Sequence, residues 1–218
     1  MRDRCAAMRG TTPEKLNLIT LHLGAGCSAT AIRQGQSVDT SMGLTPLEGL
    51  MMGTRSGDID PAIFSFLAKR EKLSPDQVER ILNHESGLLG VSGISADLRE
   101  IEAGARQNQR AALAIEMFCY RLRKYIGAYM AVLGRTDAIV FGGGIGEHSD
   151  IVREGACSGL EQLGILLDPE GNRVTTGREA CISKEHSPVA VYVVPLNEEL
   201  HIARAASRLL SAQGQQNS

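Results

Sequence analysis

The hydrophobic pattern changes period along the chain, and the changes mark out its elements. Residues 16–23 (LNLITLHL) are an apolar, β-prone run, Ser28 to Arg33 alternates polar with apolar, and Gln36 to Thr40 is a third short run. Gly24-Ala25-Gly26 and Gly35 separate them, which predicts three sequential antiparallel strands. Asp60-Pro61 and Ser74-Pro75-Asp76 each set a capping side chain before a proline, predicting helices to about Lys69 and near His84. Glu85 to Ser95 is broken by glycines and reads as a loop, and Asp97 to Ala103 as a short helix. From Asn108 to Leu133, Ile115, Phe118, Leu122, Tyr125, Ile126, Tyr129 and Leu133 recur at helical spacing until Gly134 stops them.

A strand then ends at Phe141, followed by glycines 142, 143, 144 and 146 and a helix of roughly Glu147 to Leu163. Gly164 to Lys184 reads as turns and short strands. Pro188 to Val194 is a β-branched run, hence a buried strand, and Asn197 caps a last helix to about Leu210. Residues 1–14 read as the remnant of a preceding helix and turn, 15–210 as one domain, and 211–218 as a disordered polar tail.

Two stretches exceed what connection requires. Ser41 to Asp60 is long, irregular and rich in Gly, Thr and Met, the kind of loop that carries function. The passage from strand through glycines to helix at 138–147 lets bare backbone approach a ligand. It is not the dinucleotide fingerprint, because Glu147 stands where the last glycine would be, and no Gly-Lys-Ser/Thr follows as in a P-loop.

Composition narrows the class. The 218 residues can bury a sizeable core, are 43% hydrophobic and carry a net charge of -2, which disfavours a nucleic-acid partner. No apolar run approaches the roughly 18 residues of a membrane span, so a cytoplasmic protein is expected. Cys5, Cys27, Cys119, Cys157 and Cys181 are scattered, as are the histidines, and suggest neither a disulfide framework nor a zinc site. Gly90-Val91-Ser92-Gly93-Ile94 lacks the closing glycine of a hydrolase elbow.

Three antiparallel strands, helices, then strand, helix, strand, helix resembles a ribonuclease H-like α/β domain of the actin, sugar-kinase and heat-shock ATPase superfamily: a βββαβαβα core with a helical insertion. Three further segments carry a closer resemblance: residues 18–26 (LITLHLGAG), 37–61 (SVDTSMGLTPLEGLMMGTRSGDIDP) and 86–95 (SGLLGVSGIS). With Gly143 to Glu147 and Asn197-Glu198-Glu199-Leu200, they are similar to the second half of the acetate kinase family, from about Lys15 to Leu210.

That resemblance implies reversible phosphoryl transfer from ATP to acetate, giving ADP and acetyl phosphate, with Mg²⁺, in a homodimer. It implies that His22, Leu23, Gly24, Ala25 and Gly26 form a phosphate-contacting turn, and that Asp97, Leu98 and Arg99 lie on the nucleotide. Gly143, Gly144, Ile145, Gly146 and Glu147 would lie against the adenosine, Arg55 would stabilise the transition state, and Glu198 would help hold Mg²⁺. The chemistry suits those residue types. In-line transfer needs positioning and charge stabilisation, and a guanidinium matches phosphate oxygens with a planar fork.

Read singly, each residue has a structural alternative. Arg55 could be an ion-paired surface arginine, Glu198 a carboxylate favoured by a helix dipole, His22 a satisfied strand histidine, Asp97 a helix cap, and the glycines a tight turn. Two departures from the family stand out: Ala25 where an asparagine is usual, and His148 where an asparagine commonly follows Gly-Glu. The residues that the family's first half supplies, an acetate-contacting arginine, a catalytic aspartate, a histidine and a metal-side asparagine, have no counterpart here. These residues alone are therefore expected to bind nucleotide weakly at best and to show little kinase activity. Two alternatives stand beside the acetate reading: a propionate or butyrate kinase fragment, and a catalytically dead nucleotide-binding or dimerisation module.

Overall fold

The computed structural model describes residues 1–196 together with Ala203 and Ala206. A six-stranded sheet runs in the order β3-β2-β1-β4-β6-β5. Its strands are β1 (Asn17–Leu23), β2 (Cys27–Arg33), β3 (Gln36–Thr40), β4 (Ala138–Gly142), β5 (Ala180–Cys181) and β6 (Ala190–Val193). The first three are antiparallel neighbours, and β4 and β6 extend the sheet parallel to β1. That is the ribonuclease H-like arrangement, with the two-residue β5 added antiparallel at one edge.

Period-two alternation sorts the central strands onto two faces. Ile19, Leu21, Leu23, Ile139, Phe141, Val191 and Val193 point to the larger core, while Leu18, Ala138, Val140, Ala190 and Tyr192 point to the smaller. Helix α1 (Arg2–Met8) covers the smaller face through Cys5 and Ala6. The larger face receives the longest helix, whose predicted stripe buries Phe118, Leu122, Ile126, Tyr129 and Leu133. Ile115 and Tyr125 pack at its margin.

The helices between β3 and β4 are α2 (Ala62–Arg70), α3 (Pro75–His84), α4 (Gly87–Ser92), α5 (Leu98–Gly104) and α6 (Gln109–Leu133). Their starts follow the sequence with one shift, since α2 begins at Ala62 with Pro61 rather than Asp60 at its N-cap. Asp60 accepts from the Ala62 amide, Ser74 and Gln77 form a capping box, and Asp97 and Asn108 cap α5 and α6. Helix α4 corrects the loop expected over Glu85 to Ser95. Its first amides bond outside the segment, Leu88 to the Met52 carbonyl and Leu89 to Gly53, each at 2.9 Å. Gly87 opens it and Gly93, left-handed, is its C-cap, while Gly90 sits within the helix.

A second correction concerns the glycine passage. It is not an open loop, since α7 (Gly143–His148) begins at once after β4. The single helix expected over Glu147 to Leu163 is instead α7, α8 (Asp150–Cys157) and a 3-10 turn at Glu161–Leu163. Ser149 makes the break, because its hydroxyl accepts from the Val152 amide at 3.1 Å and starts α8 anew. Helix α9 (Pro169–Val174) follows. Of the expected last helix only Ala203 and Ala206 are described, and both are helical; Asn197, Glu198 and the polar tail lie outside the described residues. Among the described residues, no helix is long and apolar enough to cross a membrane.

Candidate nucleotide site

Strands β1 and β4 run parallel with His22 opposite Gly142, so the β1–β2 turn and the start of α7 emerge side by side. Ligands bind at that carboxyl end of parallel strands in α/β folds. The turn at 24–26 closes through the Gly24 amide on the Gly26 carbonyl at 3.0 Å. A cleft of about 870 Å³ opens beside it, lined by His22, the turn, Gly143, Gly144 and Glu147. A second lobe of about 630 Å³ shares Gly24, Ala25 and Gly144 and continues along Asp97, Leu98, Arg99 and Ile145. Segments 120 residues apart in sequence therefore meet around one cavity. Three described residues expected at the site do not line it: Leu23 is buried in the core, Gly146 is buried with its carbonyl turned to Arg153, and Arg55 lies at the turn but outside the lining of either lobe.

The glycines of α7 divide the work. Gly143 has φ +77°, and a Cβ there would lie 2.6 Å from the Leu23 carbonyl oxygen, so close strand-to-helix packing requires glycine. A Cβ on Gly144, which lines both lobes, would meet nothing within 4 Å. Glu147 is tied on both sides. Its carboxylate accepts from the Leu196 amide at 3.0 Å, and its carbonyl from the Gly177 amide.

Arg55 comes to the 24–26 turn from the irregular 41–60 loop, which contains no helix or strand. Loop and turn are joined by the Gly53 amide on the Ala25 carbonyl at 3.3 Å. A Cβ on Gly26 would lie 3.3 Å from Arg55 Nη1, so the guanidinium crosses the turn. Its recorded hydrogen bond is to Met52 Sδ at 3.6 Å, and among the described residues no carboxylate pairs with it. The loop is held from behind by Asp58. Its carboxylate accepts from the Gly49 amide at 2.8 Å, Arg121 Nη1 at 3.0 Å and the Tyr125 hydroxyl at 2.8 Å.

At the far end of the second lobe, Arg99 donates to Asp97 through Nε and Nη2, holding the Asp97 carboxyl down at about 2. Glu102, on the same helix, accepts from the Ser149 hydroxyl at 2.5 Å; burial raises its pKa above the ordinary carboxyl range. Cys27 lines the first lobe, yet burial pushes its thiol up to about 12, which removes it as a nucleophile near neutral pH. Below α7, fully buried Arg153 donates to the carbonyls of Gly146, Asn172 and Thr175 and to Asn172 Oδ1, at 2.7 to 3.0 Å.

Glu102, Ser149 and Arg153 were not singled out by sequence. A Ser-Asp pair at 149–150 does signal a helix cap, but nothing local pairs Ser149 with a residue 47 positions earlier.

Residues 1–204 match the sequence profile described as the Acetokinase family. The chain is 54% identical over 208 residues to the acetate kinase of Nitratidesulfovibrio vulgaris (strain DP4), covering 95% of this chain and 52% of the relative. The acetate kinase of Dictyoglomus thermophilum gives the same identity and coverage. Among solved structures, Porphyromonas gingivalis acetate kinase superposes with a TM-score of 0.92 at 46% identity, covering 95% of this chain and 52% of that one. A propionate kinase from Francisella tularensis does so at 0.85 and 42%, covering 93% and 51%. The chain thus spans about half the length of the curated relatives it matches. On this match, made over nearly its whole length, the chain belongs to the acetokinase family.

Proposed function

We propose that this chain is the nucleotide-holding half of an acetate kinase, which transfers a phosphoryl group reversibly between ATP and acetate. The observation that carries the reading is the meeting of the 24–26 turn and the start of α7 around one cleft, with Arg55 Nη1 beside Gly26 of that turn. The turn offers backbone amides to phosphate without a lysine, the shared lobe accepts ribose and base between Ile145 and Leu98, and Arg55 brings positive charge. As charge spreads over the transferring group's equatorial oxygens, a planar guanidinium at Gly26 stabilises it more than the ground state.

Mg²⁺ fits this half as a phosphate-bound ion rather than a caged one. Among the described residues no group of three or more His, Cys, Asp or Glu side chains could hold a metal. Mg²⁺ needs only one or two protein carboxylates beside phosphate oxygens and water. Glu198 is the carboxylate we assign to it. When bound, the ion neutralises charge on the phosphates.

The propionate kinase overlays this half nearly as well as the acetate kinase does, which supports an acid pocket outside these residues. Propionate is therefore the second reading. A homodimer is supported by exposed apolar side chains on α2 (Ile63, Phe64, Phe66) and α6 (Leu113, Met117, Tyr120). The reading is tested by titrating Mg·ADP into the protein alongside a hydroxamate assay with ATP and acetate. Saturable binding with little turnover from these 218 residues is expected. Absence of binding, or family-like turnover, would overturn it.

A further inference from the structure

The second lobe has two walls that come from distant parts of the chain. One is the first turn of α5, carrying Asp97, Leu98 and Arg99; the other is the α7–α8 junction, carrying Gly144, Ile145, His148 and Ser149. Among the described residues, one hydrogen bond joins segment 96–105 to segment 143–150: Ser149 Oγ to Glu102 Oε1 at 2.5 Å. The hydroxyl donates and the carboxylate accepts, and such a bond is stronger than a neutral one when the carboxylate is ionised. Ser149 is 6% exposed, so the bond is shielded from competing water at that end. The same hydroxyl accepts from the Val152 amide, so one oxygen both starts α8 and reaches the opposite wall.

The other polar groups of the lobe are already committed elsewhere. Asp97 and Arg99 satisfy each other on one wall, and His148 Nδ1 sits 2.9 Å from the Gly144 carbonyl on the other. Neither pair crosses the gap. From this we propose that Glu102 is a positioning residue for the nucleoside: its carboxylate holds Ser149 and so fixes the spacing of the walls between which base and ribose slot. This rests on the nucleotide reading above and deepens it, assigning the lobe's width to one pair. Fixing the walls beforehand removes an ordering cost from binding. The effect should fall on ligands that fill the lobe and spare ligands that reach only the turn at 24–26.

The test uses two probes, Mg·ADP and Mg·pyrophosphate, titrated calorimetrically into wild type, Glu102→Ala, Glu102→Gln and Ser149→Asp. Glutamine keeps an acceptor for Ser149. Aspartate at 149 keeps the helix cap but cannot donate when ionised, so it reports on the clamp even where Glu102→Ala fails to fold. We expect Glu102→Ala and Ser149→Asp to weaken ADP about tenfold with pyrophosphate unchanged, and Glu102→Gln to stay within about twofold of wild type. Equal loss of both probes would mark a general structural role and overturn the proposal. Unchanged ADP affinity in Ser149→Asp, or loss in Glu102→Gln as large as in Glu102→Ala, would overturn it while leaving the nucleotide reading intact. Failure of wild type to bind either probe would remove the nucleotide reading and this inference with it.

Discussion

Arg55 Nη1 lies 3.3 Å from the point where a side chain on Gly26 would begin. A half-buried cation without a carboxylate partner among the described residues thus faces a turn whose amides suit phosphate. Charge-assisted hydrogen bonds contribute about 1.5–3 kcal/mol. Arg55→Ala should therefore weaken ATP by about tenfold or more and leave adenosine unchanged. Calorimetric titration of both ligands checks this, and equal losses would show that Arg55 supports the fold instead.

Gly143 and Gly144 are adjacent and should respond oppositely. Gly143→Ala forces an L-residue into positive φ against the Leu23 carbonyl and should cost at least about 1 kcal/mol, read as a lowered Tm. Gly144→Ala has room in the free protein and should hold its Tm while weakening Mg·ADP. A reversed pattern would mean that the cleft lies elsewhere.

Arg153 is a buried cation satisfied by neutral acceptors from α7, Asn172 and Thr175. Arg153→Met strands those acceptors, at about 1–3 kcal/mol for each left unpaired. A loss near 3 kcal/mol should lower Tm by about 10 °C for a chain of this size. Thermal unfolding measures it; a change under about 2 °C would show that water or other donors replace the guanidinium.

Asp97 should titrate at about 2 by NMR, and Arg99→Ala should return it towards the ordinary value near 3.9. Because the folded value is depressed, any stabilisation from this pair is present above about 3.9 and is lost as pH falls through about 2. An unshifted Asp97 in wild type would contradict the Arg99 pairing.

Ala25 is exposed between the two lobes, where the family usually carries asparagine. Ala25→Asn adds a donor beside the phosphates and should tighten Mg·ATP by about threefold or more. Unchanged affinity would free Ala25 from blame for any low activity.

Much of this was legible in the sequence because local rules govern it. Strand alternation, the Ser74 cap and the α6 stripe matched the structure, and Asp97 does cap α5 as its structural alternative had it, while α2 takes Pro61 rather than Asp60 as its N-cap. The Gly-Thr-Arg-Ser-Gly-Asp run pointed to Arg55, which does reach the turn. What escaped depends on distant partners. Helix α4 forms where its amides meet the Met52 and Gly53 carbonyls, a bond pattern that no window over Glu85 to Ser95 contains. Glu102 with Ser149, and Asp58 with Arg121 and Tyr125, join residues 47 to 67 positions apart. Gly143 lines the cleft and also serves packing, which only coordinates reveal by placing the Leu23 carbonyl against it.

The central claim is that one nucleotide spans the turn, α5 and α7. An amide ¹H–¹⁵N correlation spectrum of the labelled protein titrated with Mg·ADP tests it most directly. Saturable shifts gathered at residues 22–26, 97–102 and 143–149 are the expected result. No saturable shifts, or shifts centred instead on the separate hollow beside Met51, Gly90 and Met117, would contradict it.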